Sequence, residues 1–523
     1  MWFFNFKIVW LLAVVITLVG AGEICHSNDL KGLEGFQVGI RSDRDMDRSW
    51  LLQLGRPIDL SSFIDLTGEI PPTIGSRLPR LRKLALSGNQ FKGTLPESIG
   101  KLSELQELYL SENSFTGSIP GSIGNLQGLR MLDLHSNRLS GSIPGSMGEL
   151  QCLKELDLSN NSLSGRIPSS ITRLKAVSVI CLDNNHLERS HTPSGSCRPF
   201  GLIPSSIGNL RSLTELYLNS NRLSGQLPAS ISQLANLLIF SVSYNLIEGP
   251  LPHQRTALAN LQTLELSFNQ LNLNYILKWL LKLPSLSRIF LAGCNIQGGL
   301  SEDVLTTPSP LQKLDLSVNR LTGSIPGWIG KLTELYSLNL SLNDLVDTIP
   351  TSIMDLTSLG LLDLHSNKLA VSLEWRYRVR SLTFLDLSDN SFTGGIEQIG
   401  METQLDIQYI NLSHNMIKGR LPDSIGRLES LKSLDLSYNR LDSEIPATLG
   451  NASSMENLKP QRNHFTGRIP DEFLKFKNLK DLDLSSNSLE GRIPYGEPLI
   501  GFPRGSYLGN KDLCGAPLEP CQP

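Results

Sequence analysis

Two short runs in the chain carry the residue types of acid–base chemistry: Asp133-Leu-His135 and Asp363-Leu-His365. On a strand, residues two apart share a face, so each carboxylate can reach its imidazole. Serines abound at neighbouring places, so a Ser/His/Asp set is nominally present. Nucleophilic catalysis also needs an oriented site that excludes water. An open strand face supplies neither condition, and the pairs read as solvated side chains. They would at most make a contact sensitive to pH near about 6. The sequence holds no HExxH and no G-x-x-x-x-G-K-[ST] phosphate loop. No catalytic residue, metal ligand or cofactor is therefore assigned, and an enzyme is the weakest class of reading.

Two other patterns share those outward places. An acidic column, Asp133, Asp157, Glu265, Asp315, Asp363, Asp386, Asp435 and Asp483, lies between paired leucines. It would steer a basic peptide or protein, although Leu-Asp-Leu-Ser is also a common spelling of such runs and a column of charge is usually a solvated face. The second pattern is apolar: Ile239, Tyr244, Phe268, Phe290, Val318, Leu342, Leu361 and Phe384. These are expected to come from consecutive units and to stack in steps of roughly 5 Å as a strip with a polar rim. Such a strip marks an interaction site, and its aromatics suit anchor roles. These eight are the ligand-binding candidates.

What positions these residues is a repeat. One copy reads Leu105-Gln-Glu-Leu108-Tyr-Leu110-Ser-Glu-Asn113-Ser-Phe115-Thr-Gly117-Ser-Ile119-Pro120. Its Asn recurs at 89, 113, 137, 161, 185, 221, 245, 269, 319, 343, 367, 390, 415, 439, 463 and 487, with Cys294 in the same place, mostly 24 residues apart. A period in this range with this spelling is a leucine-rich-repeat solenoid. The expected fold is α/β: a curved right-handed superhelix with a parallel sheet on the concave face and short helical turns on the convex face. L-x-x-L-x-L alternates like a short strand. The Asn amide bonds backbone groups that the following turn leaves unpaired. Gly-x-[IL]-Pro leaves that turn, and a run such as Glu97-Ser-Ile99-Gly-Lys-Leu102 supplies a helical turn.

The frame breaks in several places. The step from Asn185 to Asn221 is 36 residues. Its surplus, Glu188 to Pro199, reads as the remnant of an eroded repeat, with a binding loop as the other reading. Tyr275-Ile-Leu-Lys-Trp279-Leu-Leu replaces Gly-x-Ile-Pro and reads as a longer helix. Pro460 stands where a strand Leu belongs and removes a backbone donor. Cys294 can bond as Asn does only weakly.

The chain divides into a signal peptide at 1–21, a degenerate N-terminal cap at 22–56, the repeat array at 57–494 and a C-terminal cap at 495–523. Lys7, the apolar run Ile8–Val19 and Gly20-Ala21-Gly22 spell secretion. No second apolar run is long enough to span a membrane, so the expected location is outside the cell. The alternative is a cell-surface place held through a partner. The balance of 47 basic against 50 acidic residues, net −3, argues against nucleic acid as a partner. Sequons stand at Asn160, Asn339, Asn411 and Asn451. Of seven cysteines, Cys514 and Cys521 lie together after the last repeat and are the best disulfide pair. Cys25 has no obvious mate, and Cys152, Cys181 and Cys197 are scattered, so a free thiol is expected.

The Gly-x-Ile-Pro spelling, as in Leu-Asp-Leu-Ser-Val-Asn319-Arg-Leu-Thr-Gly323-Ser-Ile-Pro326, resembles the plant-specific class of extracellular leucine-rich repeats. The tail Leu508-Gly-Asn510-Lys-Asp-Leu-Cys514-Gly-Ala-Pro-Leu-Glu-Pro-Cys521 resembles the C-terminal cap of plant receptor-like proteins and receptor kinases. Cys25 to Phe36, continuing to Ser49-Trp50, looks like the first half of their N-terminal cap. That cap normally continues with a paired-cysteine segment, whereas Leu51-Leu-Gln-Leu-Gly55 follows here. The resemblance implies a non-catalytic module that recognises an extracellular peptide, protein or glycan in defence or developmental signalling, with a membrane receptor kinase as a co-receptor. Two other readings remain beside it: an inhibitor of a secreted wall-degrading enzyme such as polygalacturonase, and an eroded or truncated receptor-kinase ectodomain.

Overall fold

Alternating Leu residues two apart must bury one face of each L-x-x-L-x-L run, and neighbouring copies of the run are the surfaces available to bury it against. The computed structural model describes residues 58–59, 61–62, 65–188, 203–252, 258–274, 279–300, 309–371, 381–394, 396–401 and 406–522. The chain forms two units, Met1–Leu271 and Asn272–Pro523.

In the first unit, each repeat contributes a strand of two or three residues. These are Ile58–Asp59, Lys83–Ala85, Glu107–Tyr109, Met131–Asp133, Glu155–Asp157, Val179–Cys181, Glu215–Tyr217, Ile239–Ser241 and Thr263–Glu265, paired in that order and all parallel. Leu84, Leu108 and Leu132 stand opposite one another in register and are fully buried. The ladder Asn then closes the turn after each strand. Asn113 Nδ2 donates to the carbonyls of Leu86 at 2.9 Å, Leu110 at 3.3 Å and Ser111 at 2.9 Å, and its Oδ1 accepts from Phe91 N at 2.9 Å. One amide thereby satisfies backbone groups of two adjacent repeats, as buried polar groups require.

The segment leaving that turn forms a second row of parallel strands, which sequence reasoning did not foresee. Thr67–Gly68, Gln90–Thr94, Ser114–Ser118, Arg138–Ser142, Ser162–Gly165 and His186–Leu187 pair in sequence. Gly93 in this row has φ +81°, and a Cβ there would lie 2.8 Å from the Glu69 side chain. That combination explains the Gly of Gly-x-[IL]-Pro. The helical turn that follows is α at Ile74–Arg77 and 3-10 at Glu97–Lys101, Gly121–Asn125, Gly145–Glu149 and Ser169–Arg173.

The 36-residue step leaves the strand row intact. Val179–Cys181 pairs with Glu215–Tyr217 in unbroken register, and Asn221 Nδ2 reaches back to Leu182 O at 2.9 Å. The surplus after Glu188 falls within residues 189–202, which lie outside the described residues. So do the expected signal peptide and N-terminal cap, with Cys25.

The second unit repeats the plan. Its strands are Arg288–Phe290, Lys313–Asp315, Ser337–Asn339, Leu361–Asp363, Phe384–Asp386, Tyr409–Asn411, Ser433–Asp435, Asn457–Lys459 and Asp481–Leu482. Where a longer helix was expected near Trp279, residues 275–278 lie outside the described residues. The described part is a 3-10 turn of three residues, Leu280–Lys282. Cys294, in the Asn place, is buried and approaches Ala292 O with Sγ at 3.6 Å. Pro460 has no N–H to offer, and the last strand accordingly pairs over two residues only, Asn457↔Asp481 and Leu458↔Leu482. Its carbonyl still accepts from Asn463 and Asn487, each at 3.1 Å.

The C-terminal cap contains one more ladder residue than the sequence count found. Asn510 Oδ1 accepts from Leu489 N at 3.0 Å, and its Nδ2 donates to Leu484 O at 3.0 Å and Tyr507 O at 2.9 Å. Asp512–Cys514 adds a strand to Ser488–Arg492, and Cys514 is joined to Cys521. Among the described residues Cys152 and Cys181 carry free thiols. No helix among the described residues is long and apolar enough to cross a membrane.

Candidate functional site: the open strand face

Every outward side chain of the strand row falls into one of a few columns set by the repeat. The first and third strand positions point out, as does the residue just before the ladder Asn. That last residue must be left-handed for the Asn to turn inward, and it is so at Glu112, Ser136, Tyr244 and Phe268 in the first unit, with φ of 51, 51, 55 and 56°. The second unit does the same at Val318, Leu342, His414 and Tyr438, with φ of 55, 53, 52 and 53°. A β-branched or bulky residue is uncommon there.

The eight apolar candidates do not form one strip. Tyr244 and Phe268 occupy the left-handed column of the first unit, and Val318 and Leu342 that of the second. They are the exposed members, at 57%, 39%, 42% and 45%. Ile239, Leu361 and Phe384 instead lie at the first strand position and Phe290 at the third, all half-buried. Consecutive lateral stacking holds only in part: Leu361 stands beside Phe384, but Thr263 stands beside Ile239 and Asp315 beside Phe290. The reason is that one repeat exposes several columns, and spacing in sequence cannot assign a side chain to one of them. What the structure does bring together is Tyr244 on Phe268, rings 4.6 Å apart, in the first unit. In the second unit Phe384 stacks on Tyr409 at 4.4 Å and His414 on Tyr438 at 4.1 Å, with the Arg462 guanidinium 4.9 Å from the Tyr438 ring. Sequence reasoning missed Tyr409, His414, Tyr438 and Arg462. The signal was present, since the last three precede successive ladder Asn residues.

The acidic column serves structure as well as surface. Asp157 Oδ1 accepts from Ser159 N at 2.9 Å and Ser159 Oγ at 2.6 Å. Asp315 and Asp386 hold Ser317 and Ser388 in the same way, and Asp435 and Asp483 accept from the N–H groups of Ser437 and Ser485. Leu-Asp-Leu-Ser is thus a turn brace, with carboxylates doing what Asx turns do. Asp133 and Asp363 hold histidines instead, each with Oδ1 2.7 Å from Nδ1 of His135 or His365.

The first unit's face is nonetheless strongly negative. Burial lowers the His135 pKa, but the Asp133 hydrogen bond and the charges of Asp133, Asp157 and Glu112 outweigh it and hold the imidazole above its ordinary value. Burial, reinforced by Asp157 and Glu265, pushes Asp183 up to about 6 against its hydrogen bonds from Asn219. Burial, reinforced by Asp157, Asp183, Glu215 and Glu155, raises the Cys181 thiol. Donor atoms of Asp133, His135 and Asp157, and of Asp363, His365 and Asp386, each gather within 4.8 Å. In the second set, Asp386 also accepts from Ser388 and Asn411.

Two of the sequon asparagines, Asn160 and Asn451, are exposed, whereas Asn339 and Asn411 sit half-buried on the open face. Asn411 Nδ2 donates to Asp386 Oδ2 at 3.0 Å.

Comparison with known proteins places this architecture. One leucine rich repeat family model matches residues 79–139, 211–271, 309–369 and 380–441, and a second matches 152–174 and 478–496. Together they span just over half of the chain. Receptor-like protein 35 of Arabidopsis thaliana is 33% identical over 158 residues, 29% of this chain and 16% of that protein. Receptor-like protein 53 is 36% identical over 149 residues, 28% of this chain and 15% of that protein. The matched stretch is thus about a sixth of each relative's length. Among solved structures, the ectodomain of the Arabidopsis receptor kinase HAESA, in complex with an N-terminally extended IDA peptide hormone, is 31% identical with a TM-score of 0.66. That match covers 86% of this chain and 81% of that one. The plant peptide hormone receptor RGFR1 in complex with RGF2 is 30% identical with a TM-score of 0.62, over the same shares.

Proposed function

The chain belongs to the plant extracellular leucine-rich-repeat family of receptor-like proteins, and on that premise we propose that it recognises a peptide or protein ligand outside the cell through its open strand face. The observation that carries this reading is the pair Tyr244 and Phe268, stacked, exposed and held in a left-handed column that bulky residues rarely occupy. Backbone strain of this kind persists where the surroundings over-determine it and clusters at ligand contacts. Exposed, mutually supported aromatics are the usual anchors of an interface. Val318 and Leu342 repeat the arrangement in the second unit. Peptide-hormone complexes of similar ectodomains support the ligand class. The signalling context we assign is defence or development, with a receptor kinase as the partner that carries the signal.

The test is affinity capture of extracellular peptides and proteins by the secreted chain, then titration of a captured partner. Tyr244→Ala with Phe268→Ala should weaken binding by about tenfold or more, the loss typical of an interface anchor. Thermal stability should barely change, since both rings are exposed. Undiminished affinity of the double variant would remove these residues from the site. Inhibition of a polygalacturonase by the same preparation would favour the inhibitor reading.

A further inference from the structure

Among the described five-residue 3-10 turns of the first unit, the fourth place is Gly100, Gly124 and Gly148 in three, and Thr172 and Ser232 in the other two. The fourth residue of each turn lies against the second residue of the next. A Cβ on Gly100 would stand 2.2 Å from Ser122 O, on Gly124 2.3 Å from Ser146 O, and on Gly148 2.2 Å from Ser170 O. Glycine is what allows successive turns to close up. In the turn Ser169–Arg173 the fourth residue is Thr172, which carries the side chain those contacts forbid. Before the following turn, Ile207–Asn209, Ser206 Oγ lies within hydrogen-bond reach of Thr172 Oγ1, at 3.0 Å.

Beside this contact lies an open surface cavity of about 730 Å³. Arg173, Lys175 and Arg211 line it, together with Gln151, Asn209 and Ser206. Both guanidiniums are anchored: Arg173 Nη1 lies 2.9 Å from Glu149 Oε1, and Arg211 Nη1 donates to Gln233 O at 3.0 Å. Three cations against the one carboxylate of Glu149 leave the cavity net positive. The first unit's open strand face is acidic, so this is a separate surface with the opposite charge.

We propose that this cavity binds an anionic saccharide, a sugar bearing a carboxylate, sulfate or phosphate. The guanidinium forks and the ammonium suit the anion. The hydroxyl and amide groups beside them offer donors and acceptors for sugar hydroxyls. The site is independent of ligand recognition at the open strand face.

Calorimetric titration of the full secreted chain tests it with four probes: a galacturonate trimer, a sulfated disaccharide, inorganic phosphate and neutral maltotriose. At least one of the two charged sugars should bind, more tightly than phosphate, and maltotriose should not. Arg173→Ala with Arg211→Ala should lower that affinity about 100-fold, roughly tenfold for each lost charge-assisted bond. Lys175→Gln, a single exposed change, should lower it about tenfold on the same basis. Lys480→Ala, in the second unit, should leave affinity unchanged. Equal binding of maltotriose, equal affinity for phosphate and the charged sugars, binding by neither charged sugar, or affinity unaltered by both the double-arginine and Lys175 changes would each overturn the proposal.

Discussion

Replacing Asn319 with Ala tests whether the ladder amide, rather than leucine packing alone, holds the repeat closed. Asn319 Oδ1 accepts from Cys294 N at 3.0 Å and Ile296 N at 2.9 Å, and its Nδ2 donates to the carbonyls of Leu291 at 2.8 Å, Leu316 at 2.9 Å and Ser317 at 2.9 Å. The side chain is 8% exposed, so water does not readily replace it. Alanine removes all five bonds. The two N–H groups each lose an acceptor, at about 1–3 kcal/mol apiece, while carbonyls keep a second lone pair and lose less. Allowing for relaxation around the shortened side chain, the expected cost is about 3–5 kcal/mol. Repeat arrays need not unfold in one step. The assay is therefore native-state hydrogen exchange as well as urea unfolding. Protection should fall at Cys294, Ile296 and their neighbours, with the midpoint shifted down. Cys294→Asn should move both readouts the other way, because Sγ is a weak donor. If Asn319→Ala left stability within about 0.5 kcal/mol of the parent, the range of an ordinary surface change, the ladder would not be what closes the turn.

Two further outcomes follow from the same face. Asp183 is raised by burial to about 6, from an ordinary value of 3.8. Since its folded pKa lies above its unfolded one, its contribution is fully present below about pH 3.8 and is lost as pH rises through about 6. Asp183→Asn should therefore stabilise the chain relative to the parent above pH 6 and by much less below pH 4, read from melting temperatures across that window. A constant difference would show that the carboxylate is not perturbed. Peptide mass mapping of the secreted protein should find glycan on Asn160 and Asn451, which are exposed, and not on Asn411, whose amide is committed to Asp386. Full occupancy at Asn411 would contradict that bond.

The repeat was legible because its residues report on themselves. A Leu at every second strand position, an Asn that must satisfy buried backbone groups and a Gly needed at positive φ each leave a mark at a fixed spacing, and each copy confirms the last. Cys294 and Pro460 were legible as exceptions for the same reason, and the shortened pairing at Asp481–Leu482 is the cost of a missing N–H. Asn510 escaped the count because the cap lacks the leucine frame around it, although its bonds are those of any ladder Asn.

The sequence by itself determined the leucine-rich-repeat fold, the turn chemistry and the Cys514–Cys521 neighbourhood, since all of these depend on residues within one copy or the next. Which outward side chains meet was decided only by the tertiary structure. Tyr244 meets Phe268, and His414 meets Tyr438, because the left-handed residue before each ladder Asn points every such side chain into one column. Ile239 and Phe290, equally apolar in the sequence, fall into other columns and are half covered. The cavity beside Thr172 is of the same kind. A threonine in place of glycine is a small change along the chain, but in space its hydroxyl meets the next repeat, Oγ1 3.0 Å from Ser206 Oγ.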